Sequence, residues 1–205
     1  MKILMINGSP HAAGSTYTAL CEMEKIFIEN GFETEIVRVG HLAVRGCVAC
    51  KSCYKTGRCA IDDIVNELAP KLEECDGLVV GSPVYYASAN ATLEAVLQRL
   101  FYSTHFSKTM KVGAAVVSAR RGGITATFDE INKFFTISGM PVASGQYWNG
   151  IHGNSADEAA EDGEGLQSMR TLARNMVFLI KSIALGKEKF GVPEKEPPIR
   201  TNFIR

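Results

Sequence analysis

The chain predicts a doubly wound α/β domain, a five-stranded parallel sheet with helices on both faces, and three observations carry that expectation. Short, continuous apolar runs alternate with longer segments of helical periodicity. Several of the runs end in Gly- and Ser-rich loops, the place where open parallel sheets hold ligands. The 205 residues contain no internal repeat, low-complexity tract or interdomain linker, so residues 1–205 read as one domain.

Taken in order, Ile3–Ile6 reads as a first strand buried on both faces. Ser15 or Thr16 can cap a helix to about Asn30, with Leu20, Met23, Ile26 and Phe27 on one stripe and Gly31 placed to end it. Glu33–Val39 is a β-branched second strand. Residues 40–60 are irregular, with a Cys-rich insertion at about 44–61. Asp62 or Asp63 can cap a helix to about Glu74, broken or kinked near Pro70. Asp76–Gly81 is a third strand, followed by the loop Ser82–Tyr86 and a helix over 88–102 carrying Leu93, Val96, Leu97 and Leu100. Lys111–Ser118 is a fourth strand, with a glycine-rich loop and a helix over about 124–138 behind it. Met140–Ala143 is a short fifth strand, and a last helix covers about Glu164–Leu185. The tail at 186–205 holds three of the seven prolines and is expected to run extended over a surface or a partner subunit.

Composition narrows the function classes. Lys+Arg and Asp+Glu are equal at 22 each, so no net field draws the chain to nucleic acid or an anionic membrane. No apolar run reaches the roughly 20 residues of a membrane span, and Met1–Ile6 is too short for a signal-peptide core. The expected location is the cytoplasm, where the six cysteines are not expected to pair as structural disulfides.

Three post-strand loops carry ligand-binding chemistry. The first, Gly8-Ser9-Pro10-His11-Ala12-Ala13-Gly14-Ser15-Thr16, lacks both the G-x-G-x-x-G and the P-loop spacing. Ser9, His11, Gly14, Ser15 and Thr16 remain as donors converging on a terminal phosphate at a helix N-terminus. The plain alternative is a polar turn with an N-cap and no ligand. In the second loop Pro83, Val84, Tyr85 and Tyr86 suit a flat ring, or are surface tyrosines. In the third, Ser118, Ala119, Gly122 and Gly123 allow close backbone approach, while Arg120 or Arg121 can place positive charge near a flavin pyrimidine. Alternatively, the arginines are solvated or paired with a carboxylate.

Cys47-x2-Cys50-x2-Cys53-x5-Cys59 is the most specific chemical signal, four thiols within thirteen residues. The C-x2-C-x2-C part presents ligands to a cubane, with Cys59 the natural fourth because Cys21 and Cys75 are isolated. A four-cysteine zinc site and unligated or oxidisable thiols remain open as alternatives. Lys51, Lys55 and Arg58 would offset the negative charge of a thiolate-ligated cluster, or are ordinary surface residues. His41, His105 and His152 are scattered, no hydrolytic triad is evident, and Tyr147 and Trp148 border a ligand, a subunit contact or the core.

The G-S-P-x-x-x-G-S-T, G-S-P-V-Y-Y and S-A-R-R-G-G loops and the closing Thr201-Asn202-Phe203-Ile204-Arg205 resemble the NAD(P)H-dependent FMN reductase branch of the flavodoxin superfamily. Within it the cysteine motif resembles that of the iron–sulfur flavoproteins. The resemblance spans nearly the whole chain and implies a sheet order of 2-1-3-4-5, FMN at the strand ends and a [4Fe–4S] cluster at the four cysteines. It also implies a homodimer or homotetramer in which one subunit helps to close another's flavin site. The expected function is an FMN-dependent oxidoreductase or electron-transfer flavoprotein relaying electrons between cluster and FMN. NAD(P)H is a candidate co-substrate and a ferredoxin-type protein a candidate partner, and the flavin, not a side chain, carries the chemistry. The alternatives are a cluster-free NAD(P)H-dependent FMN or quinone reductase and an FMN-binding redox sensor.

Overall fold

In a computed structural model the chain builds one sheet from β1 (Lys2–Asn7), β2 (Glu33–Arg38), β3 (Gly77–Tyr85), β4 (Ser88–Ala89), β5 (Val112–Ala119) and β6 (Gly150–His152). The helices are α1 (Ser15–Glu29), α2 (Cys53–Thr56), α3 (Ile64–Glu74), α4 (Ala91–Ser103), α5 (Ile124–Ile137), α6 (Ala156–Glu161) and α7 (Gly163–Phe190). Residues 1–199 and 201 are described; residues 200 and 202–205, including the Asn202–Arg205 end of the closing motif, lie outside them. Among the described residues no helix is long and apolar enough to cross a membrane.

The strands run β2-β1-β3-β5-β6, all parallel, and β4 adds a short antiparallel hairpin to the end of β3. Counting only the parallel strands in chain order, this is the 2-1-3-4-5 path. Register runs from Ile3↔Gly77 to Asn7↔Gly81 and from Gly77↔Val112 to Pro83↔Ser118, so the carboxyl ends share one edge. Every residue of β5 is buried, which is why it reads as an uninterrupted apolar run. One face packs on α1 and α7 through Leu20, Met23, Phe27, Met169, Leu172 and Met176. The other packs on α3, α4 and α5 through Leu68, Leu72, Leu93, Leu97, Ile131 and Phe135.

Four expectations are corrected. The fifth strand is Gly150–His152, not Met140–Ala143. The earlier segment makes one parallel bridge, Val142 to Gly113, before the chain leaves the sheet. It is held outside by α7, where Asn175 Nδ2 donates to the Ser144 carbonyl at 2.6 Å and Thr171 Oγ1 to Gln146 Oε1 at 2.9 Å. It re-enters when the Asn149 carbonyl accepts from Val117 N–H at 2.9 Å. Second, α3 is one helix unbroken through Pro70; its cap is Asp63, one of the two expected, accepting from Val65 N–H at 3.1 Å. Third, the helix expected from residue 88 starts at Ala91, because 88–89 pair with β3 and Asn90 caps the helix by accepting from Thr92 and Leu93 N–H. Fourth, the last helix continues to Phe190, through Gly186, and ends at Gly191 with φ of 76°.

Candidate active site

The first loop is pinned before any ligand is considered. Gly8 N–H donates to the Gly81 carbonyl at 2.8 Å, Ser9 N–H to Asn7 Oδ1 at 2.9 Å, and Arg38 to the Pro10 carbonyl at 2.7 Å. Gly40 passes so close that a Cβ there would sit 2.0 Å from the Gly8 carbonyl oxygen, so this crossing needs glycine. The loop delivers the chain into α1 with Gly14 at the N-cap, not Ser15 or Thr16 as expected, because both already lie within the first turn; no side chain caps the helix and its first turn holds no acidic residue. The N–H groups of that turn therefore keep their capacity for an anion, with the positive end of the helix dipole behind them.

A cavity of about 410 Å³ opens over this helix start. The first loop lines it with Ser9, His11, Ala13, Gly14, Ser15 and Thr16; Pro83, Val84 and Tyr85, expected in a loop, line it from the end of β3, which runs on to Tyr85, and Ser118 and Ala119 from the end of β5, with Arg120 beyond. Thr16 and Ser118 share a buried 2.7 Å hydrogen bond. Burial pushes the Tyr85 hydroxyl pKa up, so the ring presents a neutral phenol. The remaining expected residues lie outside this cavity. Tyr86 sits at the turn between β3 and β4 with φ of 61° and a fully exposed side chain. Gly122 and Gly123 line a neighbouring cavity of about 330 Å³ with Arg121, Tyr147, Trp148 and His152. Gly123 also lets the third loop lie on the second, since a Cβ there would be 2.6 Å from the Val84 side chain.

A fourth wall, Gly153, Asn154, Ser155 and Ala156, was not anticipated. Ser15 Oγ donates to the carbonyls of Gly153 and Ser155, at 2.9 and 3.0 Å, tying this segment to the start of α1. The sequence signal for it is the capping-box spacing Ser155-x-x-Glu158, realised as Ser155 Oγ accepting from Glu158 N–H at 3.2 Å. The donor set fits a phosphomonoester at α1 and a flat ring toward Tyr85 and Arg120.

A separate cavity, on α4, is lined by all four motif cysteines together with Arg99 and Tyr102. The loop turns sharply by placing Ala49 and Lys51 in the left-handed region, φ of 52° and 59°, and Ala49 N–H donates to Cys47 Sγ at 3.4 Å. Cys53 is buried, Cys59 half-buried, Cys47 and Cys50 exposed. Cys59 is tied to α3, its N–H donating to Asn66 Oδ1 and its carbonyl accepting from Asn66 Nδ2, both at 3.1 Å. Arg99, which sequence reasoning missed, is 1% exposed and donates to Cys59 Sγ from both Nε and Nη2 at 3.3 Å. The left-handed turns and N–H···S contacts suit thiolates gathered on an inorganic centre. Among the described residues no three Cys, His, Asp or Glu side chains converge closely enough for a single metal ion. Cys75 is apart from this cavity, and burial pushes its thiol pKa up to about 11, that of an inert core thiol.

Comparison with known proteins agrees with this architecture. Residues 1–154 match the family model described as NADPH-dependent FMN reductase. An iron–sulfur flavoprotein of Methanosarcina thermophila is 32% identical, over 92% of this chain and 100% of its own. One of Methanocaldococcus jannaschii is 31% identical, over 89% and 99%. Among solved structures, RosB with a bound 8-demethyl-8-formylriboflavin-5'-phosphate intermediate superposes with a TM-score of 0.71 at 16% identity, covering 100% of this chain and 94% of that one. A flavodoxin from Archaea superposes with 0.53 at 16% identity, covering 85% and 99%. At these identities the two structures establish a flavodoxin-like fold. The length and coverage of the sequence matches establish more: this chain belongs to the NADPH-dependent FMN reductase family.

Proposed function

We propose that the chain is an FMN-dependent oxidoreductase that relays electrons between FMN, held in the cavity over α1, and a [4Fe–4S] cluster ligated by Cys47, Cys50, Cys53 and Cys59. The observation that carries it is the pairing of two separate cavities on one chain. One has an uncapped helix N-terminus and four loops, and the other is lined by four cysteines. The names of the relatives support the pairing.

When bound, FMN supplies two-electron chemistry and the cluster one-electron transfer. The chain's own residues bind and orient. Ser9 and the α1 N–H groups, that of Ser15 among them, would hold the phosphate, while the Ser15 hydroxyl is already donated to the Gly153 and Ser155 carbonyls; Tyr85 and Val84 would flank the ring. Arg120, exposed at the mouth, would place positive charge near it. We propose NAD(P)H or a ferredoxin-type protein as donor, and a homodimer or homotetramer as the assembly.

Anaerobic stopped-flow mixing with NADH, NADPH and reduced ferredoxin tests the reading. Bleaching of the flavin band by at least one of them is expected, and no reduction by any would contradict an oxidoreductase role. A second reading, a cluster-free NAD(P)H-dependent FMN or quinone reductase, is favoured by the exposure of Cys47 and Cys50. Iron and sulfide analysis after anaerobic reconstitution separates the two.

A further inference from the structure

We propose that Arg99 is a positioning residue that sets the reduction potential of the cluster by donating its Nε–H, with a share of Nη2–H, to the sulfur of Cys59. The inference rests on the cluster reading above and goes beyond it.

Arg99 lies on the stripe of α4 that packs into the core, beside Val96 and Leu100, and is the largest fully buried side chain among the described residues. Burying a guanidinium is costly unless every donor is met. Asp63 meets it with a two-pronged ion pair, Nη1 to Oδ2 at 2.6 Å and Nη2 to Oδ1 at 2.9 Å. The Arg45 carbonyl accepts from Nη1 at 3.0 Å and the Ile61 carbonyl from Nη2 at 2.9 Å. That leaves Nε, and Nε points at Cys59 Sγ, with Nη2 sharing the same sulfur. An ion pair alone would not need this arrangement. The fork is held by α3 and the 45–61 segment and aimed at one of the four sulfurs.

Reduction adds negative charge to a thiolate-ligated cluster, and hydrogen bonds to its sulfurs together with a nearby cation stabilise the reduced form. Lys51, Lys55 and Arg58 are exposed, where water and salt screen them, and Arg58 is already paired with Asp62 at 2.6 Å. Of these four cations only Arg99 is buried away from solvent.

The test is an anaerobic redox titration of full-length holoprotein, following the electron-paramagnetic-resonance signal of the reduced cluster, with the FMN midpoint as internal control. Arg99→Gln should lower the reduced-to-oxidised cluster ratio at fixed potential at least tenfold, about 59 mV for one electron. Arg99→Lys, which keeps the charge and loses the paired donors, should fall between. Asp63→Asn keeps the α3 cap and removes a negative charge, so it should shift the ratio the other way. The FMN midpoint should stay within error in all three. Cluster midpoints equal to wild type in the Arg99 variants would overturn the inference. If both Arg99 variants lose their iron, an unshifted Asp63→Asn overturns it instead. Wild-type protein that holds no iron after reconstitution defeats the cluster reading itself, a distinct result.

Discussion

Thr16 on the first turn of α1 and Ser118 near the end of β5 share a 2.7 Å hydrogen bond in which both side chains are buried, joining the first and third loops beneath the cavity. Ser118→Ala leaves the Thr16 hydroxyl buried without its partner, at an expected cost of about 1–3 kcal/mol. Urea denaturation of the FMN-free protein reads this directly. Adding Thr16→Val should restore part of the loss, because the stranded hydroxyl is then gone. A single variant as stable as wild type would count against the coupling.

Gly40 tests the crossing that shapes the first loop. Its missing Cβ leaves room for the Gly8 carbonyl and the backbone of Ser9, which cannot swing aside as a flexible side chain could. Gly40→Ala should weaken FMN binding at least tenfold, about 1.4 kcal/mol, with a drop in melting temperature. Gly46→Ala, where a Cβ meets nothing within 4 Å, should leave both unchanged. Equal FMN affinity in the two variants would refute the role given to the crossing.

Glu94 of α4 and Glu130 of α5 form a carboxyl pair beside the β3–β4 hairpin. The Glu130 carboxyl, then burial, pushes the Glu94 pKa up from the usual 4.5 to about 7, while Glu130, accepting from Glu94 and from Ala89 N–H at 3.0 Å, is held low. A raised carboxyl pKa means that the folded chain binds more protons than the unfolded one between those values. This contribution is therefore fully present below about pH 4.5 and is lost as pH rises through about 7. Glu94→Gln should flatten that part of the stability curve and gain on wild type at pH 8. Parallel wild-type and variant curves from pH 5 to 8 would show that the pair does not share a proton.

The two cavities have no lining residue in common, so their ligands should separate genetically. Cys53→Ala is expected to lose iron and retain FMN, by metal analysis and the flavin absorption band. Loss of both together would mean that the sites are not independent.

The central strands were legible because burial on both faces leaves uninterrupted apolar runs at Ile3–Ile6, Leu78–Val80 and Val112–Val117. β6 was not, since Gly150-Ile151-His152 has one apolar residue and its place comes from pairing with Val117–Ala119. Met140–Ala143 looked more like a strand, but pairing ceases after Ala143, where α7 holds the next residues away from the sheet. The loops after β1, β3 and β5 could be read from their glycines, serines and aromatics. The 153–156 wall could have been found from its capping-box spacing. Arg99 was hidden: one charged residue on a helix reads as solvent-facing, and only the fold brings Asp63 and Cys59 to it.

Whether this chain pairs FMN with an iron–sulfur centre is read most directly from the flavin, iron and acid-labile sulfide content of anaerobically prepared protein. One FMN per chain is expected, with iron and sulfide in equal amounts and four of each per FMN. Protein that takes up no FMN from a saturating solution would contradict FMN binding in the cavity over α1.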